Sequence, residues 1–381
     1  MSVEEFIEAN IHKSTAELSL LLSKKPDFPR DYIINQIKGR KIAKSKFPFL
    51  LQINSIKFPN SRALEQASSS ETAAFKTSLF SGKRAIDLTG GMGIDSYFFS
   101  KRFDVIDYVE ANPELFEITK KNFTILEAEN INSHCKKAEG FLRETKFYYD
   151  LIYIDPDRRA AKSKAFKIED CEPKMTDLLP IINEKAENCL VKLSPMLDIK
   201  QALGEFKNCK TVYVIAVKNE CRELLFQLKK DYSGEATIRT INLNSKTQQS
   251  FNFDFEHEQK IEVKLEVVGS YILDPNVAIL KAGAFKTVSE IFNIAKLGIN
   301  THLYTSNSHV PNFPGRQFKV LKEVKLRKGE LKQANVICKN FPLSPEQIKS
   351  KYKIKDGGKK FLIALTDMNN QKKVYLCELE I

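Results

Sequence analysis

Followed through its apolar and polar positions, the chain changes rhythm twice. Residues 2–47 carry apolar stripes at helical spacing, Phe6, Ile7 and Ile11 first and Ile33, Ile34 and Ile37 later, with Pro26 and Pro29 between them. The pattern predicts helices, the later one capped by Asp31. Ser68 followed three residues later by Glu71 predicts a capping box, opening a helix through Ala73, Ala74 and Phe75. From 84 to 243, short apolar runs alternate with helical patterns. Strands are expected at 84–88, 105–110, 133–137, 150–154, 189–193, 211–217 and 236–243, with a helix over 94–103 and another after the Asn112 and Pro113 cap. Such alternation predicts a doubly wound, mostly parallel α/β sheet with ligands at the carboxyl ends of its strands.

After Asn244 the rhythm changes. Ile261, Val263, Leu265 and Val267 alternate with Glu262, Lys264 and Glu266, the period of a strand with one wet face. A helix capped by Asp274 with Pro275, a second over 286–297 ended by Gly298, and a strand through HLYTS are expected next. The last seventy residues begin with FKVLKEVKL and show helical patterns near Glu330 and Pro345. They finish with FLIALTD and KVYLCELE, a predicted hairpin around MNNQKK. The expected organisation is a helical N-terminal extension over 1–75, the sheet domain over 76–244, a small α+β unit over 245–310 and a last domain over 311–381.

Candidate chemistry concentrates in RAIDLTGGMGID, residues 84–95, where a strand closed by Asp87 runs through Thr89, Gly90, Gly91 and Gly93 into a helix. Glycines open backbone angles closed to other residues and let the main chain approach a ligand. A dinucleotide and S-adenosylmethionine both suit such a turn. The dinucleotide fingerprint places a glycine three positions after Gly93, where Ser96 stands, which disfavours a nicotinamide or flavin enzyme. Glu110 closes the second strand, where a carboxylate can accept hydrogen bonds from vicinal ribose hydroxyls. DLIYIDPDRR, residues 150–159, is a further apolar run that ends in Asp155 and Pro156.

Charge adds a partner. The formal net charge is +12, and residues 311–381 hold sixteen basic residues against seven acidic ones. A polyanion is the natural ligand of such a region. The seven cysteines form no C-x-x-C pair and the five histidines have no ligand spacing, so no metal site and no disulfide framework is indicated. Apolar runs are too short to span a membrane, and a cytoplasmic location is expected.

EQASSSETAAFK, DLTGGMGID, IYIDPDRR, CEP at 171–173, LSPMLD at 193–198, NECREL at 219–224 and YILDPNVAILKAG at 271–283 together resemble one bacterial family. Its members are class I S-adenosylmethionine-dependent methyltransferases with a ferredoxin-like unit and a THUMP-like C-terminal domain. The resemblance implies a doubly wound Rossmann-like methyltransferase sheet followed by a smaller α+β region, S-adenosylmethionine as cofactor, and RNA (tRNA or rRNA) as substrate. It places Asp87 and the turn of Thr89, Gly90, Gly91 and Gly93 around the methionine part of the cofactor, Glu110 at the ribose and Glu139 near the adenine. Asp155, Pro156, Asp157 and Arg158 fall at the target, where base methylation by in-line transfer is expected with Asp155 at the acceptor. Amino-methyltransferases carry Asp/Asn-Pro-Pro-aromatic there. Asp157 and Arg158 depart from that pattern, and the stacking aromatic is missing. Arg158 and Arg159 suit phosphate or base contacts, and Asp198 suits either the target or a helix cap. The alternative is an RNA-binding protein with an inactive methyltransferase fold. The sequence leaves the oligomeric state open.

Overall fold

The computed structural model describes residues 1–158, 170–244 and 248–380, with Arg158 described by its backbone alone. The chain divides into two units, Met1–Lys210 with Leu225–Gly234, and Thr211–Leu224 with Glu235–Ile381.

The first unit opens with helices α1 (Val3–Ala9), α2 (Thr15–Leu22) and α3 (Arg30–Lys46). Capping boxes start the first two, Ser2 with Glu5 and Ser14 with Glu17, each satisfying two backbone donors reciprocally. α3 starts earlier than its sequence suggests. Pro29 precedes it, and Asp31 lies inside the first turn, where it favours the positive end of the helix dipole without capping it. Phe6, Ile7, Leu18, Leu22, Ile33 and Ile37 bury one another as a core for these three helices. α4 (Ser61–Gln66) and α5 (Ser70–Ser78) follow. The cap of α5 is Ser69, whose hydroxyl accepts the Thr72 N–H, and not Ser68 as the spacing predicts. That one-residue shift releases Ser68 for the site described below.

Strands and helices then alternate: β1 (Gly82–Asp87), α6 (Ile94–Phe99), β2 (Phe103–Glu110), α7 (Pro113–Ile125), β3 (Ile131–Cys135), α8 (Ala138–Glu144) and β4 (Tyr149–Ile154). A two-residue antiparallel pair comes next, β5 (Asp157–Arg158) with β6 (Cys171–Glu172), then α9 (Met175–Lys185), β7 (Ala186–Leu193) and α10 (Ile199–Glu205). α7 begins at the expected Asn112 cap with Pro113 in its first turn, whereas α6 stops at Phe99 so that Phe103 can open β2. The strands lie in the order β7-β4-β1-β2-β3, all parallel. β1 has successors on both sides, and such a reversal of strand order opens a crevice at the carboxyl ends. Register aligns those ends, with Asp87 beside both Tyr108 and Tyr153.

Across the division of the units run β8 (Cys209–Val217) and β9 (Glu220–Lys229). The sequence reading contains no strand over β9. Lys218 and Asn219 between them take φ of 51° and 62°, the left-handed pair that a two-residue hairpin turn requires. In the second unit β10 (Thr237–Leu243) pairs parallel with β8 and antiparallel with β11 (Gln248–Phe253), and α11 (Phe255–Lys260) follows. Residues 261–267 are not the predicted strand. Only Leu265 makes a bridge, to Lys296, and Val267 is exposed despite the alternation.

The remainder comprises β12 (Tyr271–Pro275), α12 (Val277–Ala282), α13 (Thr287–Ile291), β13 (Ala295–Gly298), β14 (Thr301–Ser306), β15 (Gly315–Glu323), β16 (Asn335–Lys339), α14 (Pro345–Tyr352), β17 (Lys360–Thr366) and β18 (Lys372–Glu380). The seven strands make one sheet in the order β13-β14-β12-β15-β18-β17-β16. Asp274 and Pro275 end β12 and do not cap a helix. Asp274 is buried with Arg316 at 2.7 Å and Lys339 at 3.2 Å, while Asn276 caps α12. The helix expected over 286–297 is cut at Ile291, since Asn293 turns left-handed at φ 49° and Gly298 lies in β13. Near Glu330 there is a turn in place of a helix. The β17–β18 hairpin forms as predicted. Its alternate residues feed two cores, Ile363, Leu365 and Cys377 on one face, Leu362, Ala364 and Leu376 on the other. Among the described residues no helix is long and apolar enough to cross a membrane.

Candidate active site

The site is built where β1 stops. Asp87 is 2 % exposed, and its carboxylate accepts the Thr89 N–H at 3.1 Å and the Ser96 hydroxyl at 2.6 Å. Ser96, at the position where a dinucleotide fold would need glycine, thereby becomes a buried donor. Burial pushes the Asp87 carboxyl up to about 7, with the negative charges of Asp95 and Asp155 adding to the rise and the Ser96 and Thr89 donors opposing it. A folded-state pKa above the unfolded 3.8 means that stability contributed at low pH is lost as pH rises through about 7. Asp87→Asn removes that loss. Thermal melts without added cofactor should show the variant gaining on the parent protein from about pH 4 to pH 7 and levelling off above it, and parallel curves would exclude a neutral Asp87.

Beyond Asp87 the chain turns on glycine. Gly91 and Gly93 take φ of 53° and 75°, a region open to glycine without steric cost. A Cβ on Gly90 would fall 2.1 Å from the Tyr108 ring, and one on Gly93 2.5 Å from Phe123. The turn is tied down from outside. The Tyr108 hydroxyl at 2.7 Å and the Thr119 hydroxyl at 3.0 Å donate to the Gly91 carbonyl. The Gly91 N–H donates to Glu110 Oε2 at 2.9 Å, and the Asn112 N–H to Oε1 at 2.7 Å. A carboxylate offers about four acceptor positions, so roughly two remain for a pair of vicinal hydroxyls. Glu110→Ala should weaken S-adenosylmethionine binding by roughly ten- to a hundred-fold, the loss of a charged hydrogen bond. Calorimetry on the folded variant measures it, and unchanged affinity removes Glu110 from the site.

A cavity of about 330 Å³ follows, within the range of small-molecule sites. Asp87, Thr89, Gly90, Gly91, Gly93, Glu110, Glu139, Asp155 and Asp157 all line it. Pro156 is buried and lies outside the lining. The side chain of Arg158 and all of Arg159 fall outside the described residues. The Asp155 N–H donates to the Thr89 hydroxyl at 2.7 Å, joining the end of β4 to the glycine turn, and the Asp155 carboxylate is ion-paired with Lys192 of β7. Asp157 accepts from Gln66 at 2.9 Å and lies 3.4 Å from the Arg62 guanidinium. Asp198 is the cap of α10, accepting the Gln201 N–H.

Sequence reasoning missed the polar cluster beneath this wall. Lys76 of α5 is fully buried and lies 2.8 Å from Asp95 Oδ1. The other Asp95 oxygen accepts from the Ser68 hydroxyl at 2.8 Å and the Tyr153 hydroxyl at 3.0 Å. Burial drives the Asp95 carboxyl up, but the ammoniums of Lys76 and Lys192 with the Lys76 and Ser68 donors outweigh it and hold it below its ordinary value. With Asp87 ionised, three carboxylates stand against two ammoniums here among the described residues, a negative excess that fits a sulfonium cofactor. The only advance signal was a lysine inside each of two apolar stretches, AAFK and CLVKL.

A parallel sheet with a glycine turn after β1, an acid closing β2 and an aspartate closing β4 defines a class I methyltransferase. A crystal structure of a protein from Porphyromonas gingivalis W83, assigned as a methyltransferase, matches at 30% identity over 100% of this chain and 98% of that one, with a TM-score of 0.88. The chain belongs to that family, the class I S-adenosylmethionine-dependent methyltransferases with a ferredoxin-like unit and a THUMP-like C-terminal domain. Family profiles described as a ferredoxin-like domain and as THUMP domain-like match residues 271–314 and 315–379. An rRNA methylase from Streptococcus thermophilus matches at 14% identity over 42% of this chain and 94% of its own, with a TM-score of 0.32, too low to bear on this chain. Among curated proteins, none matches the sequence.

Proposed function

We propose that the protein transfers the methyl group of S-adenosylmethionine to RNA. The observation that carries this is a single cavity with Glu110 and the glycine turn at one part of its lining and Asp155 at another, linked by the Thr89 hydroxyl. Asp87 and the turn take the methionine part of the cofactor, Glu110 the ribose and Glu139 the adenine side. Asp155 faces the atom to be methylated, with Pro156, Asp157 and Arg158 completing that segment. The cofactor supplies an activated methyl group. The chain's own contribution is to position the acceptor in line and receive its proton.

RNA, tRNA or rRNA, is the partner that the second unit suits. Lys325, Arg327, Lys328 and Lys332 lie exposed on the connection between β15 and β16, and Lys351, Lys353 and Lys355 on the segment from α14 onward. Backbone hydrogen bonds from Gly329 to Tyr352 and from Lys355 to Lys332 hold the two stretches together. Among the described residues no carboxylate pairs with any of these seven. Residues 271–314 and 315–379 share one sheet, so substitution tests the patch better than truncation. Replacing Lys325, Arg327, Lys328 and Lys332 with alanine should weaken RNA binding and flatten its salt dependence, by about 0.7 in the log–log slope for each phosphate that is no longer neutralised. An unchanged slope would leave the patch a solvated surface. The whole reading is tested by labelled methyl transfer to RNA from cells lacking the gene. A cofactor-bound protein that labels no RNA refutes it.

A further inference from the structure

We infer that a second cavity, lined by residues between Glu323 and Val374, seats an unpaired nucleobase of the RNA. This rests on RNA as the partner, the reading given above. The cavity measures about 340 Å³, at the small end of ligand sites and ample for one base.

Its walls are apolar and held from below. Ile348 of α14, Leu362 of β17 and Leu376 of β18 are buried in one core. Phe341, Leu343, Tyr352 and Val374 pack on that core, remain only half-buried and line the cavity. Tyr352 is fixed in place because it closes α14, which opens on the capping box of Ser344 with Gln347, and Lys353 after it turns left-handed at φ 57°. Two aromatic side chains in a part-open apolar cavity offer a surface for stacking, and every base has a π-face to stack with. Gln371 adds to the lining a side-chain amide that can both donate to and accept from a base edge.

Charge selects the class of ligand. Lys325, Lys372 and Lys373 line the cavity with Glu323, and Lys373 lies 2.9 Å from that glutamate. The pair cancels. It leaves Lys325 and Lys372, neither with a carboxylate partner among the described residues, Lys372 lying 3.5 Å from the Asn370 carbonyl. Lys325 also begins the exposed basic stretch of Arg327, Lys328 and Lys332, and Lys351, next to Tyr352, belongs to the stretch joined to it. Phosphates neutralised along that patch bring their own bases to the cavity. An acidic peptide would satisfy the lysines but has no flat ring for Phe341 and Tyr352. A duplex would satisfy them with its bases held inside the stack.

The chain contains no tryptophan, so Tyr352→Trp in the full-length protein places its sole indole in the cavity. An unstructured single-stranded RNA of mixed sequence should quench that fluorescence as a base stacks on the ring. The same strand annealed to its complement, and a poly-glutamate peptide, should leave it unchanged. Tyr352→Ala should weaken binding of the single strand by roughly five- to a hundred-fold and leave affinity for the duplex unchanged, a readout that general unfolding would not spare. Should Tyr352→Ala fail to fold, the Tyr352→Trp protein decides alone. RNA binding without quenching, or equal quenching by poly-glutamate, overturns the base-binding cavity and leaves the phosphate contacts standing. A parent protein that binds neither strand nor duplex overturns the RNA reading with it.

Discussion

Asp155→Ala is expected to lower methyl transfer to RNA by roughly a hundred- to ten-thousand-fold, the range of a missing proton acceptor, while S-adenosylmethionine still binds within a few-fold of the parent affinity. The separation is structural. It is the backbone N–H of Asp155 that meets the Thr89 hydroxyl, so removing the side chain leaves the join to the glycine turn intact. What the substitution strips away is a partner of Lys192 and the carboxylate proposed above to face the acceptor. Single-turnover transfer and calorimetry measured on one preparation check both halves. An active Asp155→Ala enzyme would move the reacting centre elsewhere, and a variant that loses cofactor affinity as steeply as activity would make Asp155 a binding residue.

The second large effect is on folding. Lys76→Met should destabilise the protein by about 3–5 kcal/mol, because it leaves the Asp95 carboxylate in a nearly dry site without its ammonium. Lys76 is fully buried and Asp95 is 11% exposed by side chain. Adding Asp95→Asn to Lys76→Met should recover much of the loss, since a neutral amide can still meet the Ser68 and Tyr153 hydroxyls. Urea unfolding of the two variants and the parent protein gives the comparison. A Lys76→Met protein as stable as the parent would show the charge pair to be dispensable.

What could be read in advance follows a physical division. Asp87, Glu110 and Asp155 each close an apolar run, and the period of those runs is a local property of the chain, so all three were visible. The Asn112 and Pro113 cap was visible for the same reason. The cluster of Lys76, Asp95 and Tyr153 was not, because its members meet across long sequence separations and a lysine in an apolar run does not announce whether its charge is buried. Ser68 and Ser69 differ by one position, and local spacing favoured the wrong one. Asp274 with Pro275 carries the signature of a helix start, yet Arg316 and Lys339, distant in sequence, neutralise the aspartate and keep it at the end of a strand. The alternation over 261–267 failed differently, since a period of two says that a strand is possible but leaves open whether a neighbour offers it a full ladder.

The bonds that brace the Gly91 peptide have a thermodynamic meaning. Its carbonyl is held by Tyr108 and Thr119 and its N–H by Glu110, and each of these partners belongs to the protein itself. A loop of three glycines would otherwise be the most expensive part of the chain to order on association. Here that conformational entropy is surrendered during folding, so preorganisation leaves little to lose when the small molecule arrives. If the turn takes the cofactor as proposed, its share of the binding heat should reflect the new interactions made, with little contribution from these glycines freezing into place.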